Sequence, residues 1–281
     1  MEIIKGNYSG FCAGVNFTYS KAKEELKKGP LYCLGDIIHN EIVINELESL
    51  GMITVNSIMD IPDNSRVIFR AHGERPDSYE YAKLHNLEVI DLTCANVKLI
   101  HNKVLKNNDK FIILIGKHNH PEVIGTSGYC INYYVVENED DLKDAYQAYI
   151  KSKLSNIYII SQTTFSSSKF DILVESIKSL FNNSNIIIDK TICASTEKRQ
   201  EEVIDLSKKC NKMLVIGSKN SSNTKELYNL SNKYCNNTYF VENENDLDNI
   251  EFSDKDKVGV VAGASVPLYI IDTIINKIKN V

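Results

Sequence analysis

No stretch of this sequence approaches the roughly 18 consecutive apolar residues of a membrane-spanning helix. Its first residues, MEIIKGNYSG, carry no basic segment leading into a long apolar core. A membrane-spanning helix is therefore not expected, and a soluble, cytoplasmic chain is. The 32 basic residues form no block and the formal net charge is −5, so neither nucleic acid nor an anionic membrane surface is an expected partner. A Gly-x-Gly-x-x-Gly run after a strand is missing, which removes the usual dinucleotide fingerprint. No Pro/Ser/Gly-rich linker divides the chain. The cysteines number 7, an odd count that suits thiols or metal ligands in a reducing compartment better than a disulfide framework.

What is present is an α/β pattern. With 281 residues, 43% of them hydrophobic, the chain can bury one or more cores. Short β-branched runs, each followed by a polar turn and a helical pattern, predict parallel strands covered by helices on both faces. The pattern repeats. TVNSIMDIPDNSRVIFRAHG, VVENEDDLKDAYQAYIKSKLSNIYIISQTT and FVENENDLDNIEFSDKDKVGVVAGAS each read as strand, Asn-containing spacer, strand and small polar loop. Upstream of each lies a strand ending in a polar cluster: LYCLGDIIHN, FIILIGKHNHPE and MLVIGSKNSSN. Downstream of the first two, LEVIDLTC and IIIDKTIC run a further strand into a cysteine. The third copy lacks that strand, but the chain opens with one, EIIKGNYSGFC. The expected fold is therefore three small α/β units with mostly parallel sheets, related by a pseudo-threefold around a central cavity. They span residues 12–93, 94–192 and 193–281, with residues 1–11 completing the third sheet.

In open α/β sheets ligands bind beyond the carboxyl ends of the strands. The residues expected there are Cys12, Cys94 and Cys193; His39, His120 and Ser221-Ser222-Asn223; and His72, Thr163-Thr164 and Ser265. A lone cysteine is most often a small buried hydrophobe. Three at matched repeat positions point instead to soft-ligand chemistry, zinc or iron–sulfur, with a coordination position left open. Cys33, Cys130, Cys210 and Cys235 have no such correspondence and read as packing. The Ser-Ser-Asn loop and the AGASVP loop place hydroxyls, an amide and backbone N–H groups before helices, where they cap the helix or hold an anion. His85, His101 and His118 stay unassigned. HPE, residues 120 to 122, puts a histidine and an acid around a proline suited to a helix's first turn, and the local sequence leaves metal binding, proton transfer and capping open.

The motifs GFCAGV, IIHN, AHG, DLTC, HPEVIGTSG, SQTT, ICASTEKRQ, GSKNSSN and VVAGAS, in order from residue 10 to residue 265, resemble those of the LytB/IspH family of 4-hydroxy-3-methylbut-2-enyl diphosphate reductases. The resemblance implies an oxygen-sensitive oxidoreductase of non-mevalonate (MEP) isoprenoid synthesis that makes isopentenyl and dimethylallyl diphosphate. It implies that Cys12, Cys94 and Cys193 ligate a [4Fe-4S] cluster with one iron not bound by cysteine. It further implies that His39, His72, His120, Ser221, Ser222, Asn223 and Ser265 hold the diphosphate, that Thr163 meets the substrate hydroxyl, and that Glu122 delivers protons. Electrons would come from ferredoxin or flavodoxin. The chain departs from the family's common pattern at Asn16-Phe17-Thr18 and at Ala95, beside two of these cysteines, which bears on loop rigidity and reduction potential.

Overall fold

The computed structural model describes residues 1–182 and 184–280. Strand β1 (Glu2–Lys5) and helix α1 (Ala13–Leu26) lead into β2 (Leu31–Leu34), α2 (Glu41–Ser49), β3 (Met52–Val55), β4 (Arg66–Phe69), α3 (Pro76–Leu84) and β5 (Glu88–Asp91). The second run is α4 (Ala95–Lys106), β6 (Phe111–Ile115), α5 (Pro121–Ser127), β7 (Tyr133–Val136), α6 (Leu142–Ser152), β8 (Asn156–Ser161), α7 (Ser167–Leu180) and β9 (Asn185–Ile188). The third is α8 (Ala194–Ser207), β10 (Lys212–Ile216), α9 (Ser222–Asn232), β11 (Thr238–Val241), β12 (Lys257–Ala262) and α10 (Leu268–Lys279).

Each run builds one four-stranded sheet, ordered β3-β2-β4-β5, β7-β6-β8-β9 and β11-β10-β12-β1. Every pairing is parallel. The fold is thus α/β with three parallel-sheet units, each in the order second, first, third, fourth. The fourth strand of the third sheet is β1, with Glu2 to Lys5 in register against Lys257 to Val260. The chain also divides into two compact units: Met1–Asn16, Ile38–Asn45 and Ala194–Val281 form one, and Phe17–Ile37 with Glu46–Cys193 form the other. The first two sheets lie in the larger unit and the third in the smaller.

Alternation explains how such short strands hold together. Along β6 every residue is buried. Phe111, Ile113 and Ile115 enter one apolar cluster with α6 and α7 residues such as Ala145 and Val174, while Ile112 and Leu114 enter another with Ile100, Val104 and Val123. In the third sheet Leu214 and Ile216 face α10, whereas Met213 and Val215 face Val203 and Leu227. The period of two sends successive side chains to opposite faces, and helices cover both. The repeats differ between their second and third strands. The second inserts α6, and the first and third make only short 3-10 turns, Ile58–Asp60 and Glu244–Asn249.

Candidate functional site

In the second-first-third-fourth order, the connections leaving the first and third strands diverge, which opens a crevice at their carboxyl ends. His39 follows β2 and His72 follows β4; His120 follows β6 and Thr163 follows β8; Ser221 follows β10 and Ser265 follows β12. The cysteines follow the fourth strands, Cys94 after β5, Cys193 after β9 and Cys12 after β1.

The three cysteines share one backbone device. The amides of Cys12, Cys94 and Cys193 donate to the carbonyls of Ala264, Ala71 and Thr163 at 3.3, 3.0 and 2.9 Å. Each carbonyl belongs to the loop after the third strand of the same sheet, and each cysteine is followed at once by a helix. None of the three is in a disulfide, and all are partly exposed. The remaining cysteines differ. Cys33, Cys210 and Cys235 are buried, and burial pushes the thiols of Cys33 and Cys130 up to about 12, leaving them protonated packing groups. N–H donors reach two of the strand-end sulfurs, from the Val15 amide to Cys12 Sγ at 3.5 Å and from Asn96 Nδ2 to Cys193 Sγ at 3.1 Å. Accessible thiols with N–H donors aimed at sulfur suit thiolate ligation of a soft metal or an iron–sulfur cluster.

In the larger unit the chemistry gathers around Glu122. Pro121 opens α5 and His120 caps it, its Nδ1 accepting the Glu122 amide at 3.2 Å. The neutral His120 ring therefore carries its proton on Nε2. The Glu122 side chain turns inward to Thr163, which donates its amide to Oε1 and its hydroxyl to Oε2, both at 2.6 Å. Only 3% of Glu122 is exposed. Burial pushes its carboxyl up to about 7, against the lowering effect of the two Thr163 bonds. His72 meets His120 edge to face with ring centroids 5.4 Å apart. The loop of His72 is gripped on two sides: a Cβ on Gly73 would lie 2.6 Å from the His101 ring, and one on Gly125 would lie 2.6 Å from the Gly73 carbonyl oxygen. Gly73 also has φ +78°, where glycine is favoured. His101 is buried, stacks on Tyr129, and is held neutral with its pKa lowered to about 4, chiefly by desolvation.

In the smaller unit the residues of the serine loop differ in what they bond. Ser221 caps α9, accepting the Thr224 amide at 3.3 Å. Ser222 Oγ and Asn223 Nδ2 are buried without any hydrogen-bond partner. Orphaned donors at a helix N-terminus are costly unless a ligand completes them. Ser265 Oγ donates to the His39 carbonyl at 3.2 Å, and Asn40 Nδ2 donates to the Ser265 carbonyl at 3.0 Å, so the His39 and Ser265 loops are laced together. Pro267 is the N-cap of α10, one position earlier than a first-turn proline.

Sequence reasoning passed over Asn40, Asn96 and Arg199. Arg199, buried on α8, donates Nη2 to the Gly10 carbonyl at 2.7 Å and thereby braces the loop of Cys12. The sequence shows an arginine inside the ICASTEKRQ motif but nothing that marks its burial or its partner. Among the described residues, no helix is long and apolar enough to cross a membrane.

Thiols at matched strand ends, a buried acid and unsatisfied hydroxyl and amide donors are groups of the kind that α/β enzymes use on small anionic substrates. The chain belongs to the LytB protein family, whose model matches residues 3–279. The 4-hydroxy-3-methylbut-2-enyl diphosphate reductase of Petrotoga mobilis is 38% identical over 273 residues, covering 95% of this chain and 93% of its own. The enzyme of that name from Thermoanaerobacter sp. (strain X514) is 36% identical over 286 residues, 99% of this chain and 97% of its own. The solved E-1-hydroxy-2-methyl-but-2-enyl-4-diphosphate reductase from Plasmodium falciparum matches with a TM-score of 0.85 at 31% identity, over 98% of this chain and 87% of that one. A second solved structure, described as the terminal enzyme of the non-mevalonate pathway, matches with a TM-score of 0.71 at 34% identity over the whole of both chains.

Proposed function

We propose that this chain reduces 4-hydroxy-3-methylbut-2-enyl diphosphate to isopentenyl and dimethylallyl diphosphate, the last step of the non-mevalonate pathway. The allylic C–O bond breaks, the oxygen leaves as water, and two electrons and two protons are taken up. Cys12, Cys94 and Cys193 hold a [4Fe-4S] cluster with one iron not ligated by cysteine, which when bound supplies electrons and a Lewis-acidic position for the leaving oxygen. Electrons reach it from a small redox protein such as ferredoxin or flavodoxin.

The chain's own residues bind the anion and move the proton. Ser222 Oγ and Asn223 Nδ2, buried without partners, donate to diphosphate oxygens, aided by the amides at the start of α9. Ser221 and Ser265 line the same anion, and His39, His72 and His120 add imidazole N–H donors, from Nε2 in the case of His120. Thr163 receives the substrate hydroxyl. The observation that carries this reading is the Glu122–Thr163 pair, a buried acid whose pKa is pushed up to about 7, with its carboxylate 2.6 Å from the Thr163 hydroxyl. When Glu122 is protonated this bond reverses. The carboxyl O–H donates to Thr163 Oγ1, and the threonine hydroxyl hydrogen is free to turn to the departing oxygen.

The test is turnover of anaerobically purified protein with substrate and a low-potential chemical reductant, with both products quantified. Product formation that requires the reductant is expected. Conversion without any reductant would mark a redox-neutral hydratase or dehydratase, and colourless protein carrying zinc would replace the cluster altogether.

A further inference from the structure

The hydrogen bond from Asn96 to Cys193 has no part in the binding or proton steps above. Asn96 is the second residue of α4, the helix that begins directly after Cys94. Cys94 is the helix N-cap, with φ −55° and ψ 138° and no side-chain capping bond. The Asn96 side-chain amide does not turn back to its own helix end. It reaches the second repeat's cysteine instead, with Nδ2 3.1 Å from Cys193 Sγ. One residue thus stands two positions from one strand-end cysteine and bonds the sulfur of another. The Val15 amide performs the similar act at Cys12, at the longer 3.5 Å and from the backbone, where a side-chain change other than to proline leaves the donor in place.

A hydrogen bond donated to a thiolate withdraws charge from sulfur. In an iron–sulfur cluster it favours the reduced, more negative state, so hydrogen bonds to the ligating sulfurs are among the settings of reduction potential. Asn96 is exposed, so replacing it takes little from the buried core. From this geometry we propose that Asn96 is a tuning residue, raising the reduction potential of the cluster through its bond to Cys193 Sγ. The inference rests on the cluster ligation proposed above.

The experiment is an EPR-monitored redox titration of anaerobically purified wild type, Asn96→Leu and Asn96→Asp, with iron and sulfide counted per chain. Leucine keeps the size and removes the donor; aspartate replaces the donor with a negative charge. Both variants are expected to retain wild-type iron and sulfide. At the wild-type midpoint the oxidised-to-reduced ratio should rise about tenfold in Asn96→Leu, equivalent to a midpoint about 59 mV lower for one electron, and further in Asn96→Asp. An Asn96→Leu midpoint equal to wild type overturns the proposal. So does loss of cluster from both variants while the remaining cluster keeps its potential, since that marks a structural tie only. Wild-type protein without iron and sulfide would instead sink the ligation reading, and this inference with it.

Discussion

The loops after β6 and β10 occupy the same position in two copies of one sheet, and they are braced alike. Glu137 accepts the His118 amide at 3.0 Å, and Glu242 accepts the Lys219 amide at 2.8 Å. Behind them Asp141 and Asp246 each accept two backbone amides, at 2.7 and 3.1 Å, in matching capping boxes with Asn138 and Asn243. The cargo of the two loops differs. One carries His120 and the buried acid Glu122; the other carries Ser221, Ser222 and Asn223, with no titratable side chain among them. A repeated scaffold fixes where groups stand, and the side chains at the strand end set the chemistry: in the function proposed above, one position moves protons and the other holds an anion.

The largest effect should come from Glu122→Gln, which keeps shape and hydrogen bonding but removes the acid. It is expected to keep the cluster and bind the diphosphate while losing roughly 10²- to 10⁴-fold in reduction rate. The wild-type rate should fall as pH rises above about 7, where the carboxyl loses its proton, and the glutamine variant should lack that limb. Normal turnover in this variant would reduce Glu122 to a helix-terminal charge and erase the difference between the loops.

The same burial predicts a stability effect. The folded-state pKa of Glu122, about 7, lies above its ordinary value of 4.5, so between these values the folded chain keeps a proton that the unfolded chain has released. The contribution to stability is full below pH about 4.5 and lost as pH rises through about 7, on the order of 3 kcal/mol. Urea midpoints of wild type and Glu122→Gln should therefore diverge from pH 5 to pH 8, with the variant gaining. For Asn223→Ala the gap to wild type should not change with pH. A flat Glu122→Gln comparison would show the carboxyl to be solvated.

Asn223→Ala sharpens the contrast from the other side. Losing one donor to a charged oxygen costs about 1.5 to 3 kcal/mol, so substrate affinity measured calorimetrically should weaken roughly 10- to 100-fold, with little change in the maximal rate. A variant that binds normally and turns over slowly would assign this loop to the chemistry.

How much of this was legible follows from what each feature depends on. The parallel sheets were readable because runs such as FIILI must be buried on both faces, and the missing fourth strand of the third repeat was readable because the other two copies show what is absent. Cys12, Cys94 and Cys193 stood out as a set because repetition marks position. Arg199 and Asn96 were not legible: their partners, Gly10 and Cys193, lie 189 and 97 residues away, and no local pattern encodes such a meeting. The raised pKa of Glu122 was hidden for the same reason, since it reflects desolvation of a carboxyl that the fold buries, against the lowering effect of its bonds from Thr163. Periodicity likewise reports three repeats, whereas packing joins two of the three sheets in one compact unit.

The smallest effect tests the shared brace. Glu137→Ala and Glu242→Ala each remove one acceptor from a partly exposed loop amide, a loss of about 0.5 to 1.5 kcal/mol in stability that should be nearly equal in the two variants because the bonds match. Function should separate them. Loosening the loop after β6 displaces His120 and Glu122, so Glu137→Ala is expected to lower kcat several-fold with KM less affected. Loosening the loop after β10 displaces Ser222 and Asn223, so Glu242→Ala is expected to raise KM several-fold with kcat less affected. Water can satisfy both freed amides, so neither variant should lose its cluster. If both variants shift KM alone and by the same factor, the two loops do one job between them, and the division between proton delivery and anion binding fails at its scaffold.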